Sequence, residues 1–181
     1  MSERNREIPY NYTSFSDREI VIRYLGEAMW EVLDTLRASR GTGRSARMLF
    51  EVLGDLWVVD RNPYIQDDLL SSRKRLEALI EAMRHRLDQV VARAEGNADA
   101  LQLAAAAREA VDRFAAWYPA TREQRRRIRQ RLGGITRRDN VDFSGLASVS
   151  HATDATDWRV EKPCVVISPD TDRETQAVVQ A

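Results

Sequence analysis

Lys162-Pro163-Cys164-Val165-Val166-Ile167-Ser168-Pro169-Asp170-Thr171 is the stretch on which the reading of this chain turns. A polar run from Ser150 to Glu161, carrying His151 and the pair Trp158-Arg159, leads into it. The apolar burst Cys164 to Ile167 reads as a strand. Ser168-Pro169-Asp170-Thr171 closes the burst and opens a helix expected to run through Val179. Loop, strand, turn and helix make the first half of a βα unit. A parallel strand needs a partner across a crossover, and the chain stops at Ala181 before a second strand. The expectation is therefore a sequence cut short inside a second domain. Its strand is expected to stay unpaired, or to borrow an edge from Leu56 to Val59 or from another copy of the chain. Residues 139–181 are then expected to be less ordered than the rest.

Upstream the pattern is helical. Ser16-Asp17-Arg18-Glu19 is a capping box, with Phe15 placed to staple it. The helix it opens is expected to reach Ser39, with Ile22, Leu25, Met29, Leu33 and Leu36 on one stripe and Gly41 to Gly43 ending it. Ala46, Leu49, Phe50 and Leu53 mark a short amphipathic helix over 44–53. Leu56-Trp57-Val58-Val59 is either a strand or a continuing buried segment. After Pro63, Tyr64 to Leu70 reads as one or two helical turns. Leu76, Leu79, Ile80, Met83, Leu87, Val90 and Val91 predict a helix over 72–95. An alanine-rich helix over 98–118 follows a short Gly96-Asn97 turn, which predicts an antiparallel hairpin. Leu101, Leu103, Ala107, Val111, Phe114 and Trp117 form its stripe, and Pro119 is expected to end it.

Between Arg122 and Arg138 lies the most basic stretch of the chain, a short helix ended by Gly133-Gly134. Arginine runs suggest nucleic acid, but no stacking aromatics are interleaved here. Contacts with acidic groups of the same protein, or with water, explain the run as well. Residues 139–157, rich in Asp, Ser, Thr and Gly, read as a linker or surface loop.

Few residues offer chemistry. Gly43 to Arg47 puts glycine, arginines and a serine at a helix start, where amide groups attract anions; a plain turn is the simpler reading. Asp67-Asp68 reads as a solvated pair and His85 as a solvent-facing side chain. His151 is a loop histidine. The single cysteine, Cys164, sits in an apolar strand and reads as an inert core thiol; alone it supplies neither a disulfide nor the several thiolates of an iron–sulfur cluster. No catalytic residue and no metal ligand is assigned, and residues binding a cofactor stay unassigned.

With 181 residues, 43% hydrophobic and 31% charged, the chain suits one ordinary domain or one domain plus a fragment. A formal net charge of +0 gives no global field favouring nucleic acid or membrane. The polar N-terminus is not a signal peptide, and no apolar run spans a membrane. The cytoplasm is the expected location.

The run Asp154 to Thr171 resembles the entry to the FAD-binding domain of FAD-linked oxidases, the vanillyl-alcohol oxidase type that includes D-lactate and D-2-hydroxyacid dehydrogenases. Ile8 to Ile20 and Gly43 to Val59 are similar to a leader domain of unknown function. That leader precedes such oxidases in large bacterial proteins with iron–sulfur modules. The resemblance implies a mainly α fold: an extended arm over 1–15, a helical domain over 16–135, a linker over 136–157, and the first strand and helix of an incomplete α/β FAD-binding domain over 158–181. It implies that FAD, and an iron–sulfur cluster, belong to a parent oxidoreductase. In the family the Gly-rich loop that cradles the FAD pyrophosphate follows the next strand, beyond Ala181. The chain itself is then expected to be non-catalytic and to serve packing or assembly with the flavin and iron–sulfur parts, with Trp158 and Arg159 anchoring the loop. The alternative is a free-standing helical adaptor that binds acidic partners or nucleic acid through 122–138.

Overall fold

The computed structural model describes residues 16–152 and 162–181. Among them the chain is mainly helical: α1 (Asp17–Leu25), α2 (Glu27–Ala38), α3 (Gly43–Arg61), α4 (Pro63–Ser71), α5 (Arg73–Arg93), α6 (Ala98–Leu132), a 3-10 turn (Arg138–Asn140), β1 (Val141–Asp142), α7 (Gly145–Ser150), β2 (Val166–Ile167) and α8 (Asp172–Gln180). One compact unit takes in the described residues of Thr13–Arg61 and Leu69–Tyr118. The other takes in those of Asn62–Asp68 and Pro119–Ala181.

In the larger unit α1 begins where the sequence placed it. The Ser16 hydroxyl accepts from the Glu19 amide at 3.4 Å, and the Ser16 amide donates to the Glu19 carboxylate at 2.9 Å. The expected single helix to Ser39 is instead two helices. Gly26 takes φ 90° and ψ 163°, a conformation that a Cβ disfavours. Its amide closes α1 on the Ile22 carbonyl, and its own carbonyl accepts the Met29 amide of α2. Leu33 and Leu36 are buried as expected; Ile22, Leu25 and Met29 are only half-buried, while Val21 is completely buried.

Leu56 to Val59 is helix, not strand. The period set by Leu49, Val52, Leu53 and Leu56 continues through Trp57, so 19 residues of α3 bury one face. Val58 points away from it, 54% exposed, as a helical and not a pleated register requires. α3 packs on α1, α2 and α5. The pairs Arg86–Asp55 at 2.5 Å and Arg93 Nη1–Met48 Sδ at 3.0 Å set α3 and α5 antiparallel.

Ser72 caps α5, and Leu76, Met83, Leu87 and Val90 are its buried residues. Glu95 and Gly96, both at positive φ, turn the chain into α6. The salt bridges Arg84–Asp112 at 2.6 Å and Arg108–Asp88 at 2.8 Å register the expected antiparallel hairpin. Ala100, Leu103, Ala104, Ala107, Ala110 and Val111 face inward. Leu101 and Trp117, expected on that stripe, are exposed by 39% and 43%, and Tyr118 is buried in Trp117's place.

Pro119 does not end the helix. α6 continues through it for 35 residues in all, with no separate arginine helix. Proline leaves the Ala115 carbonyl without its usual donor and costs about 3 kcal/mol in a helix interior. Burial anchors both flanks: Phe114 and Tyr118 before the proline, Leu132 after it. The boundary between the units falls at this residue.

In the smaller unit the expected linker is partly folded. Thr136, Asn140, Phe143, Gly145 and Ala147 are buried, and the 3-10 turn, β1 and α7 lie within 136–150. Residues 153–157 of that linker, and Trp158 and Arg159, lie outside the described residues, as do residues 1–15.

Candidate assembly site

The second half of α6 sorts its arginines by helical phase. Arg125 and Arg129, one turn apart, lie over Phe143, with guanidinium carbons 5.4 and 4.8 Å from the ring centroid. Arg125 also donates to Asp67 at 2.9 Å. Asp67 is thus a structural partner and not the solvated residue expected from its sequence. Arg126 and Arg127 turn outward and share Glu123, whose carboxyl they hold down to about 2. The basic run is therefore largely answered by acidic groups of its own unit.

Phe143 and the following turn are placed by short-range bonds. Asp142 accepts the Ser144 amide at 2.7 Å, which holds its carboxyl below the usual range. Ser144 then caps α7 through the Ala147 amide at 3.1 Å. Gly145 lies against the start of α4 so closely that a Cβ would fall 2.7 Å from the Pro63 carbonyl oxygen. His151 stands at the end of α7, its Nδ1 3.0 Å from the Ala147 carbonyl oxygen. It reads there as a helix-end group.

A polar clamp fastens the last βα unit. Asn140 Nδ2 donates to Thr136 Oγ1 at 2.8 Å and to Asp170 Oδ2 at 2.9 Å. The Thr136 hydroxyl donates in turn to Glu174 at 2.7 Å. Arg137 grips Asp170 with two bonds, at 2.8 and 3.0 Å, and that fork holds the Asp170 carboxyl below its ordinary value. Thr171 caps α8 through the Glu174 amide at 3.2 Å. No pattern in the sequence marks these residues as a set, because Thr136 and Glu174 are 38 positions apart.

β2 pairs with β1 antiparallel, Val141 opposite Ile167 and Asp142 opposite Val166. The Ser168 amide donates to the Asn140 carbonyl oxygen at 2.9 Å and extends the ladder. The strand is neither unpaired nor joined to Leu56–Val59, which is helical; its partner comes from the expected linker. It is also shorter than expected. Cys164 lies outside it and is exposed, not a core thiol, because the chain joins the ladder only after it, at Val166. Val165, Val166 and Ile167 are half-buried, α8 buries no residue, and Val179 is 82% exposed.

The other sequence candidates are dispersed. Ser45 is buried, so the start of α3 does not offer its hydroxyl outward, and Arg47 pairs with Glu51 at 3.2 Å. His85 is exposed beside Gln89. Among the described residues, no three His, Cys, Asp or Glu side chains gather where they could hold a metal ion, and no helix is long and apolar enough to cross a membrane. Asp170, Asp172 and Glu174 crowd the start of α8, where a pyrophosphate would meet three carboxylates.

These features define a mainly helical protein with a small, polar-clamped α/β segment. The chain belongs to the family described as Protein of unknown function (DUF3683), whose sequence pattern matches residues 3–116. That agrees with the leader domain read from Ile8 to Ile20 and Gly43 to Val59; the match does not reach Asp154 to Thr171. No curated protein and no solved structure matches the chain.

Proposed function

We propose that this chain is an assembly element of an FAD-linked oxidoreductase of the 2-hydroxy acid dehydrogenase type, doing no redox chemistry itself. FAD and any iron–sulfur cluster sit in the partner domains. The resemblance of Asp154 to Thr171 supplies the enzyme class. The observation that carries the role is the contrast within the last βα unit. Its turn is fixed by Arg137, Asn140 and Thr136, while its apolar side chains gain little cover: Val165, Val166 and Ile167 are half-buried and Val179 is exposed. A strand and helix held rigid with an apolar face open suit packing against further structure. The acidic start of α8 supports a role without flavin.

The test is co-expression with the flavin-domain polypeptide of the same genome, followed by co-purification. Val166→Asp with Val179→Asp is expected to abolish the association while leaving the helical content intact. Calorimetry of the chain alone with FAD is expected to show no heat of binding. Stoichiometric binding of FAD to the chain alone, or no association with the flavin polypeptide, would overturn the proposal.

A further inference from the structure

Between residues 121 and 138 stand eight arginines and one glutamate, followed over 139–181 by eight acidic and three basic residues. The structure assigns the arginines to two sides of α6. Arg125 and Arg129 are committed to Phe143 and Asp67, and Arg137 to Asp170. Arg126, Arg127, Gln130 and Arg131 are exposed. Arg127 and Arg131 are one turn apart and share a face. Arg131 has no ion-pair partner among the described residues, and Arg127 has only the exposed Glu123, at 2.8 Å. An exposed pair of that kind exchanges readily for another carboxylate.

We infer that this outer face of α6 docks an acidic polypeptide segment, with the Arg127 and Arg131 guanidinium groups each taking a carboxylate. Charge complementarity selects the occupant. Within the run Arg125 pairs with Asp67, Arg126 and Arg127 with Glu123, and Arg137 with Asp170. The two-pronged grip of Arg137 on Asp170 is the geometry such a contact uses. A nucleic acid fits less well. Phe143, the ring that Arg125 and Arg129 cover, is buried and offers no stacking face. This inference does not depend on the flavin reading.

Fluorescence anisotropy of a labelled oligoglutamate peptide against the full chain tests it. Saturable binding is expected, weakening as salt rises. The double change Arg127→Glu with Arg131→Glu should weaken it by at least about tenfold. The milder Arg127→Gln with Arg131→Gln covers the case in which charge reversal disturbs the fold, and should weaken it in the same direction. Arg40→Glu with Arg44→Glu, an exposed pair elsewhere in the chain, should leave binding unchanged. The inference is overturned if both pairs of substitutions weaken binding alike, if the peptide does not bind, or if a DNA or RNA oligonucleotide of equal charge binds more tightly at the same face.

Discussion

Gly145→Ala and Gly54→Ala make the same chemical change with opposite expected signs. At Gly145 the new methyl would lie 2.7 Å from the Pro63 carbonyl oxygen and 2.9 Å from the Pro63 carbonyl carbon and the Tyr64 Cα. All three are backbone atoms, so no side chain can rotate aside. Ordinary van der Waals separation begins near 3.4 Å, which forces α7 and the start of α4 apart by roughly 0.7 Å. A gap of that size forfeits about a quarter to a half of the dispersion attraction between the atoms it separates. Overpacking of this kind costs about 1–3 kcal/mol. Gly145 opens α7, so alanine's helix preference returns less than about 1 kcal/mol. The net expectation is a destabilisation of about 1–2 kcal/mol, read as a lower urea midpoint by circular dichroism. Hydrogen exchange should speed up at the Ala147 and Ser148 amides, which Ser144 holds. At Gly54, inside α3, nothing lies within 4 Å of the added methyl, so alanine should stabilise by about 0.5–1 kcal/mol. If Gly145→Ala stabilises as Gly54→Ala does, α7 does not rest on Pro63 and Tyr64, and the close approach is refuted.

Met83 is completely buried in α5, so Met83→Asp should cost at least about 3 kcal/mol through an unpaired buried charge; a variant that melts with the parent would place that stripe at the surface. The Tyr24 hydroxyl donates to Asp60 at 2.5 Å, and burial, then Asp60, push its ionisation well above the ordinary 10.0. Its stabilising share is therefore complete below pH 10 and lost above it as the unfolded chain ionises first; Tyr24→Phe should flatten the fall in melting temperature between neutral and strongly alkaline solution, and an unchanged profile counts against the bond. Asp170 is shifted the other way, first by Arg137 and then by Asn140. Its contribution is present above the ordinary value of 3.8 and lost as pH falls toward the depressed one, so amide signals of Val166 and Ile167 should lose exchange protection only in that acid range. Asp170→Asn should remove the pH response there, and a response that persists would assign it to another carboxylate.

Side-chain periodicity and capping chemistry were legible in the residues alone. Ser16 to Glu19 fixed the start of α1, because a cap is settled within four residues. Leu76, Met83, Leu87 and Val90 of α5, and Leu103, Ala107, Val111 and Phe114 of α6, followed from a period that local geometry imposes, while Val91, Leu101 and Trp117 turned out exposed. The arginine run was legible as charge, and contact with acidic groups of the same protein was among its readings. Its division into an inner and an outer side needed Phe143 and Asp67 to be brought beneath it. Three features were set by distant residues. Pro119 breaks helices by its own chemistry, and only burial on both flanks carries α6 through it. Leu56 to Val59 has strand composition, and only its fit to the face begun at Leu49 makes it helix. The pairing of β2 with β1, and the clamp of Thr136, Arg137 and Asn140 on Asp170 and Glu174, join residues 24 to 38 positions apart. Such polar partners carry no periodic signal, since a hydrogen bond depends on where two groups meet in space and not on their spacing along the chain.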